Sequence, residues 1–207
     1  MKGLFVTFEG IDGSGKSTQI SMLSEELTRE GIPFVLIREP GATSIGEKIR
    51  TILLDKENSK MHARTELLLY EAARAQIVEE RIRPDLEAGK VVICDRFYDS
   101  TVAYQGYARG LSLDAIGYLN DWSTGGLAPD ITFLFDLPAE EACRRRNLRE
   151  GAEDRLEAEG LAFMQKVRDG YLDLSRREKR IRVLSAMDAP DAIYRQVRLA
   201  VREVLGR

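Results

Sequence analysis

The stretch Phe8-Glu9-Gly10-Ile11-Asp12-Gly13-Ser14-Gly15-Lys16-Ser17-Thr18 decides how this chain folds. From Gly10 through Ser17 it fits G-x-x-x-x-G-K-[ST], a glycine-rich loop whose backbone N–H groups surround phosphate oxygens. The flanks agree with that reading. The apolar run Leu4–Phe8 enters the loop as a buried strand, and Ile20, Leu23 and Leu27 share one stripe of a helix that stops at Gly31. Free N–H groups and the dipole of that helix both favour negative charge, so the arrangement makes an anion cradle. Gly10, Ile11, Asp12, Gly13, Ser14, Gly15, Lys16, Ser17 and Thr18 are the candidate nucleotide-phosphate residues. Lys16, expected to face solvent, reaches the β and γ phosphates, and the Ser17 hydroxyl binds Mg²⁺. Asp12 is unusual in such a loop because a carboxylate repels phosphate. It reads either as an acid favoured by the helix dipole or as a carboxylate facing the acceptor hydroxyl or the metal.

Outward from the loop, short apolar runs alternate with amphipathic stretches. Leu4–Phe8, Phe34–Ile37, Val91–Cys94, Ile131–Leu137 and Ile181–Leu184 read as five buried strands. Helical patterns over Thr43–Leu54, Ala63–Leu86, Leu113–Trp122, Pro138–Arg149, Leu156–Arg177 and Ala192–Leu205 separate them, with Pro84 bending or ending the longest. This alternation predicts a P-loop NTPase-type α/β fold: three layers, α/β/α, around a five-stranded parallel sheet. With no repeat, low-complexity tract or linker, residues 1–207 are expected to form one domain.

Composition narrows the function. The chain has 207 residues, 43% hydrophobic and 31% charged, enough to bury a core and keep a soluble surface. A net charge of −3 argues against a broad basic surface for nucleic acid. Cys94 and Cys143 lie far apart in apolar contexts and read as free thiols in a reducing compartment. His62, the single histidine, excludes a histidine-rich metal site and argues against a Ser-His-Asp triad. No apolar run approaches membrane-spanning length and the start lacks a signal-peptide core, so the expectation is a cytoplasmic protein with no membrane association.

Phosphate-loop proteins divide by what else they carry. A guanine-reading [NT]-K-x-D segment is absent from the sequence. The strand Val91–Cys94 ends in Asp95-Arg96, where Asp95 is placed to hold Mg²⁺ or its water, or alternatively to cap the following helix, and Arg96 to grip a second phosphate. Arg144, Arg145, Arg146, Arg149 and Arg155 cluster in one short stretch. Glu141, Arg145 and Arg149 are spaced for helix-surface pairing, and the same cluster reads as an arginine-bearing lid over about 144–155. Pro40 directly follows the second strand, where the chain turns to aim Arg38, so Glu39–Pro40 is expected to be cis.

The sequence resembles the bacterial thymidylate kinases over essentially its whole length. The resemblance runs through Phe8–Thr18, Arg38-Glu39-Pro40-Gly41, Glu66–Gln76 (ELLLYEAARAQ), Asp95–Gly106 (DRFYDSTVAYQG), Pro129-Asp130 and Asp154-Arg155-Leu156-Glu157, in the family's order. It implies phosphorylation of dTMP to dTDP by the γ-phosphate of Mg²⁺-ATP in dTTP biosynthesis, and a homodimer. Gly10–Thr18 would bind ATP. Arg38 and Arg96 would hold the dTMP phosphate, with Asp12 near the sugar hydroxyl and the transferred group. Tyr70, where Phe is usual, would stack on thymine and Arg74 would hydrogen-bond it. Thr101 and Gln105 would line base and sugar, and Tyr104 would sit where a ribose 2′-OH would be. Lys16, Asp12, Arg96, Arg149 and Arg155 are the catalytic candidates, Ser17 and Asp95 those for the metal. Tyr70 has a core-packing alternative, and Arg74 an ion pair with Glu71 or Glu66. Ala42 departs from a second glycine common at that turn, which stiffens it.

Overall fold

Both faces of the central sheet are covered by helices, which is why its strands are apolar without alternation. In the computed structural model, which describes residues 3–147, 155–156 and 159–206, five strands pair in parallel. They are β1 (Leu4–Glu9), β2 (Phe34–Arg38), β3 (Val91–Asp95), β4 (Ile131–Asp136) and β5 (Ile181–Ser185), in the order β2-β3-β1-β4-β5. The helices are α1 (Lys16–Arg29), α2 (Ser44–Leu54), α3 (Ala63–Ile77), α4 (Arg83–Glu87), α5 (Tyr98–Thr101), α6 (Leu113–Thr124), α7 (Ala139–Arg146), α8 (Leu161–Arg177) and α9 (Pro190–Leu205). Leu4, Val6 and Phe8 face a core shared with α1, α8 and α9, whereas Phe5 joins Ile77, Val78, Ile82 and Leu86 on the other side. Burying side chains such as Phe5, Phe8, Phe133 and Phe135 contributes about 1.5–3 kcal/mol each.

Register then sets the site. Phe8 of β1 lies beside Asp95 of β3, and Asp95 beside Arg38 of β2. The carboxyl ends of these three strands therefore stand in one row, the edge where open α/β sheets bind ligands.

Three elements depart from the sequence expectation. The helix expected over Ala63–Leu86 is α3, a π-helical turn over Val78–Ile82, and α4. Pro84 falls in the first turn of α4, where its missing N–H is not needed, and the wide turn takes up the register change. Over 98–108, outside the expected helical patterns, the chain is helical, with α5 running into a π-helical stretch over Val102–Ala108. Its tyrosines, Thr101 and Gly106 are weak helix formers; packing against α8 holds it, and Gly170 makes room, since a Cβ there would stand 2.8 Å from the Tyr107 ring. Finally, α8 starts at Leu161 rather than Leu156 because Gly160 has φ 80 and ψ 174, which breaks a helix.

Thr43 caps α2 by accepting from the Gly46 N–H at 2.9 Å, and His62 Nδ1 caps α3 by accepting from Arg64 N–H at 3.2 Å. Glu39–Pro40 is cis, and Ala42 has φ 60, the left-handed conformation a glycine adopts freely.

Candidate active site

The phosphate loop joins β1 to α1. Gly10 has φ 133 and its Cβ would stand 2.6 Å from the Phe135 carbonyl oxygen; Gly15 has φ 87 where it opens α1. Neither position accepts a side chain without strain. Lys16 does not face solvent as the sequence suggests. It is 6% exposed and its Nζ donates to the carbonyls of Gly10 at 2.8 Å and Ile11 at 3.3 Å. A buried ammonium must be hydrogen-bonded, and the loop's own carbonyls are within reach. Burial and the nearby Arg96 charge lower its pKa to about 8, against the pull of Asp12, Asp95 and Glu9. Ile11 sends its side chain into the core and Ser14 is buried; Ser17 and Thr18 are exposed on the first turn of α1.

From the loop, one cleft runs across the row of strand ends. Asp12, Gly13, Gly15, Lys16 and Ser17 line one end; Arg38, Tyr70, Arg74, Thr101, Tyr104 and Gln105 line the rest, with Asp95 and Arg96 between. Asp95 Oδ1 is buried and accepts no hydrogen bond from the described residues. An acceptor left bare beside Lys16 and Ser17 suits a divalent cation. Among the described residues no group of three or more His, Cys, Asp and Glu could hold a metal. One carboxylate, a hydroxyl, substrate oxygens and water are a donor set that Mg²⁺ accepts, so the residues fit that ion.

Arg96 sits at the centre. Its φ is 68, and Nη2 donates to Asp12 Oδ1 at 2.8 Å while the guanidinium lies 5.3 Å from the Tyr104 ring centroid. Burial would raise the Asp12 carboxyl, but Arg96 and Lys16 outweigh it and hold the group well below the carboxylate range. Asp12 thus pairs with Arg96 rather than capping α1, whose N-cap is Gly15. Arg38 is half-exposed, bonded to Glu47 and to the Pro40 carbonyl, each at 3.1 Å.

Arg74 is 1% exposed. Its Nε donates to Glu39 at 2.9 Å, and Nη1 to Glu71 at 2.8 Å and Asn120 at 3.2 Å, leaving Nη2 as the donor pair on a residue that lines the cleft. Burial raises Glu39 to about 7 in spite of Arg74. Thr101 Oγ1 and the Tyr104 hydroxyl are buried in the cleft wall without a hydrogen-bond partner among the described residues.

Two arginine assignments change. Arg149 lies outside the described residues. Arg155 is not in the cleft: its Nη2 lies 2.7 Å from Glu66 and its Nε donates to the Leu53 carbonyl at 2.8 Å. The reason is Glu66, itself 1% exposed, which needs counter-charge and also accepts from Gln105 at 2.8 Å and Arg109 at 3.2 Å. Glu66 therefore pairs with Arg155 and Arg109, while Glu71 pairs with Arg74. Of the cluster, Arg145 reaches back to the carbonyls of Ala186 at 3.1 Å and Gly13 at 3.5 Å. Sequence reading also passes over Glu9 and Glu39, and it offers Glu66 only as a partner of Arg74; an acid closing an otherwise apolar strand is the signal for Glu9.

A nucleotide switch has no use for a second set of phosphate-seeking cations. Arg38 and Arg96 stand beyond the loop in the same cleft, so the fold and site define a P-loop kinase whose acceptor carries a phosphate, the class of the nucleoside monophosphate kinases. The thymidylate kinase family model matches residues 8–197. The thymidylate kinase of Caldanaerobacter subterraneus subsp. tengcongensis is 48% identical over 99% of this chain and 98% of its own, and that of Geotalea daltonii 53% identical over 86% of each. The crystal structure of the Ehrlichia chaffeensis thymidylate kinase superposes with a TM-score of 0.78 at 35% identity, covering 97% of this chain and 99% of that one. The chain belongs to the thymidylate kinase family. It is a kinase that phosphorylates dTMP to dTDP with ATP as donor, in the formation of dTTP.

Proposed function

We propose that Mg²⁺-ATP enters at the Gly10–Thr18 end of the cleft and dTMP at the Arg38–Gln105 end, and that the chain works as one P-loop domain. The observation that carries this reading is the strand register, which sets Phe8, Asp95 and Arg38 side by side. Phosphoryl transfer needs positioning and charge neutralisation more than covalent help, and each residue can be read in those terms. Lys16 exchanges its loop carbonyls for the β and γ phosphates. Asp95 and Ser17 would hold Mg²⁺, which would supply positive charge to the donor's phosphates. Arg96 and Arg38 bind the acceptor phosphate and turn an oxygen toward the donor. Asp12 keeps Arg96 aimed and stands near the sugar hydroxyl and transferred group. Tyr70 stacks on thymine, Arg74 offers Nη2 to its O4, and Thr101 and Gln105 line base and sugar. Tyr104 closes the space a 2′-OH would need. Arg149 remains the lid arginine proposed to neutralise the transferring group; Arg155 docks the far end of that stretch on Glu66.

A homodimer is proposed on the apolar surface of α6 and α3, where Trp122 is 75% exposed and stacks on Tyr118 at 6.3 Å and where Leu68 of α3 is also exposed. No helix among the described residues is long and apolar enough to cross a membrane, and the proposed location is the cytoplasm, without nucleic-acid or membrane partners. The test is ADP release with ATP and a panel of acceptors, with and without EDTA. The expected order of kcat/KM is dTMP, then dUMP, lower by about 1–3 kcal/mol for one methyl. The donor amine of dCMP meets the donor Arg74, so dCMP falls far behind. AMP or dCMP ahead of dTMP would refute the assignments of Arg74 and Tyr70.

A further inference from the structure

Behind Arg96, at the floor of the cleft, lies Glu9, which has no solvent exposure. Its Oε1 accepts from the Phe97 backbone N–H at 2.6 Å. Its Oε2 accepts from the Ser100 hydroxyl at 2.6 Å and the Tyr171 hydroxyl at 2.8 Å. Those two hydroxyls accept in turn from Arg96 Nη1, at 3.4 Å and 3.2 Å. Each hydroxyl has one proton. The two hydroxyl oxygens also lie 2.7 Å from each other. In its ionised form Glu9 can only accept, so each hydroxyl proton goes to Glu9 directly or by way of the neighbouring hydroxyl, and both oxygens present lone pairs to the guanidinium. The Phe97 contact acts on the backbone. Arg96 has φ 68, which a non-glycine residue keeps only when its surroundings over-determine it, and Phe97 is the next residue along the chain.

We propose that Glu9 is a positioning residue for acceptor binding: it polarises the Ser100 and Tyr171 hydroxyls toward Arg96 and pins the Phe97 backbone, so that the guanidinium is presented ready-aimed to the acceptor's phosphate. The inference rests on the reading of Arg96 as the acceptor-phosphate clamp. It places the specificity for a phosphorylated acceptor partly in groups that never touch it. Glutamine in place of Glu9 keeps the volume but puts an NH₂ donor against the hydroxyl pair, which can then no longer direct both its protons away from Arg96.

The experiment compares wild type, Glu9→Gln and Tyr171→Phe for the KM of dTMP and of ATP, kcat, and the Kd of thymidine, which has the base and sugar but no phosphate. In Glu9→Gln the KM for dTMP is expected to rise about tenfold, and in Tyr171→Phe about threefold, with thymidine Kd and ATP KM held within about twofold. Where Glu9→Gln fails to fold, Tyr171→Phe alone decides. An unchanged KM for dTMP in the folded variants, or parallel weakening of dTMP and thymidine, would overturn the inference and leave Glu9 a packing residue. A wild-type chain that does not phosphorylate dTMP would overturn the functional reading beneath it as well.

Discussion

Replacing Arg74 with methionine removes the cation bonded to both Glu39 and Glu71, while roughly preserving the space it fills. Breaking a buried pair from one side costs about 3–5 kcal/mol, a large share of the roughly 5–15 kcal/mol by which a domain is stable. The pH dependence identifies the cause. Burial raises Glu39 from 4.5 to about 7 even with Arg74 beside it. In the parent protein the folded state therefore keeps a proton that the unfolded chain has released, and this group's contribution to stability falls as pH rises from 4.5 through 7. Without Arg74 the carboxyl goes higher, so the fall continues above pH 7. Between pH 6 and pH 8 the parent holds on average half a proton on Glu39 and the variant holds a whole one. Half a proton over two pH units, at 1.36 kcal/mol per unit, makes the penalty about 1.4 kcal/mol larger at pH 8 than at pH 6. Urea unfolding of both proteins at pH 6, 7 and 8 measures it. A penalty that is flat, or that grows toward acid, would refute the claim that Glu39 is the group left uncompensated.

The remaining predictions concern the loop, a turn and a surface. Lys16→Ala should lower kcat by about a thousandfold or more through lost transition-state charge stabilisation. It should also shift Tm, since the ammonium is buried on loop carbonyls; near-normal turnover in a steady-state assay would remove Lys16 from the mechanism. Ala42→Gly should stabilise the protein by roughly 0.5–1 kcal/mol, the left-handed cost of Ala less the extra chain entropy of Gly, and a lower urea midpoint would contradict that. Trp122→Glu should turn a dimer into a monomer in light scattering at micromolar concentration, with little change in a monomer's Tm, because the side chain is exposed on α6.

What the sequence discloses of this cleft, and what it conceals, follow one physical division. Groups proposed to bind a phosphate or its metal are constrained in type and spacing, which makes Gly10–Thr18, Asp95 and Arg96 readable in one dimension. The strands are readable for a similar reason: both faces must be apolar. The acids that hold the cations are constrained only by where the fold brings them. Glu39 reaches Arg74 across 35 positions of chain, and Glu9 reaches Tyr171 across 162. No local pattern records such a pairing. Arg155 shows the consequence. Its place in an arginine-rich stretch suggests a role at the transferring phosphate, yet Glu66, buried on α3, takes it instead. The same division bears on how the site works. Arg96 is already paired with Asp12, Arg38 with Glu47, and Arg74 with Glu39 and Glu71, so an acceptor whose phosphate meets the first two and whose base meets the third competes for donors that are partly committed. An arginine held only by substrate would have to be ordered at each turnover; one already held by an acid keeps its geometry and gives up only the bonds that face the cleft. The acids thus act on acceptor binding through the residues they hold: Glu9 through Arg96, Glu39 through Arg74 and Glu66 through Gln105, so substitutions at the three should alter acceptor binding although none of them is expected to contact the phosphate.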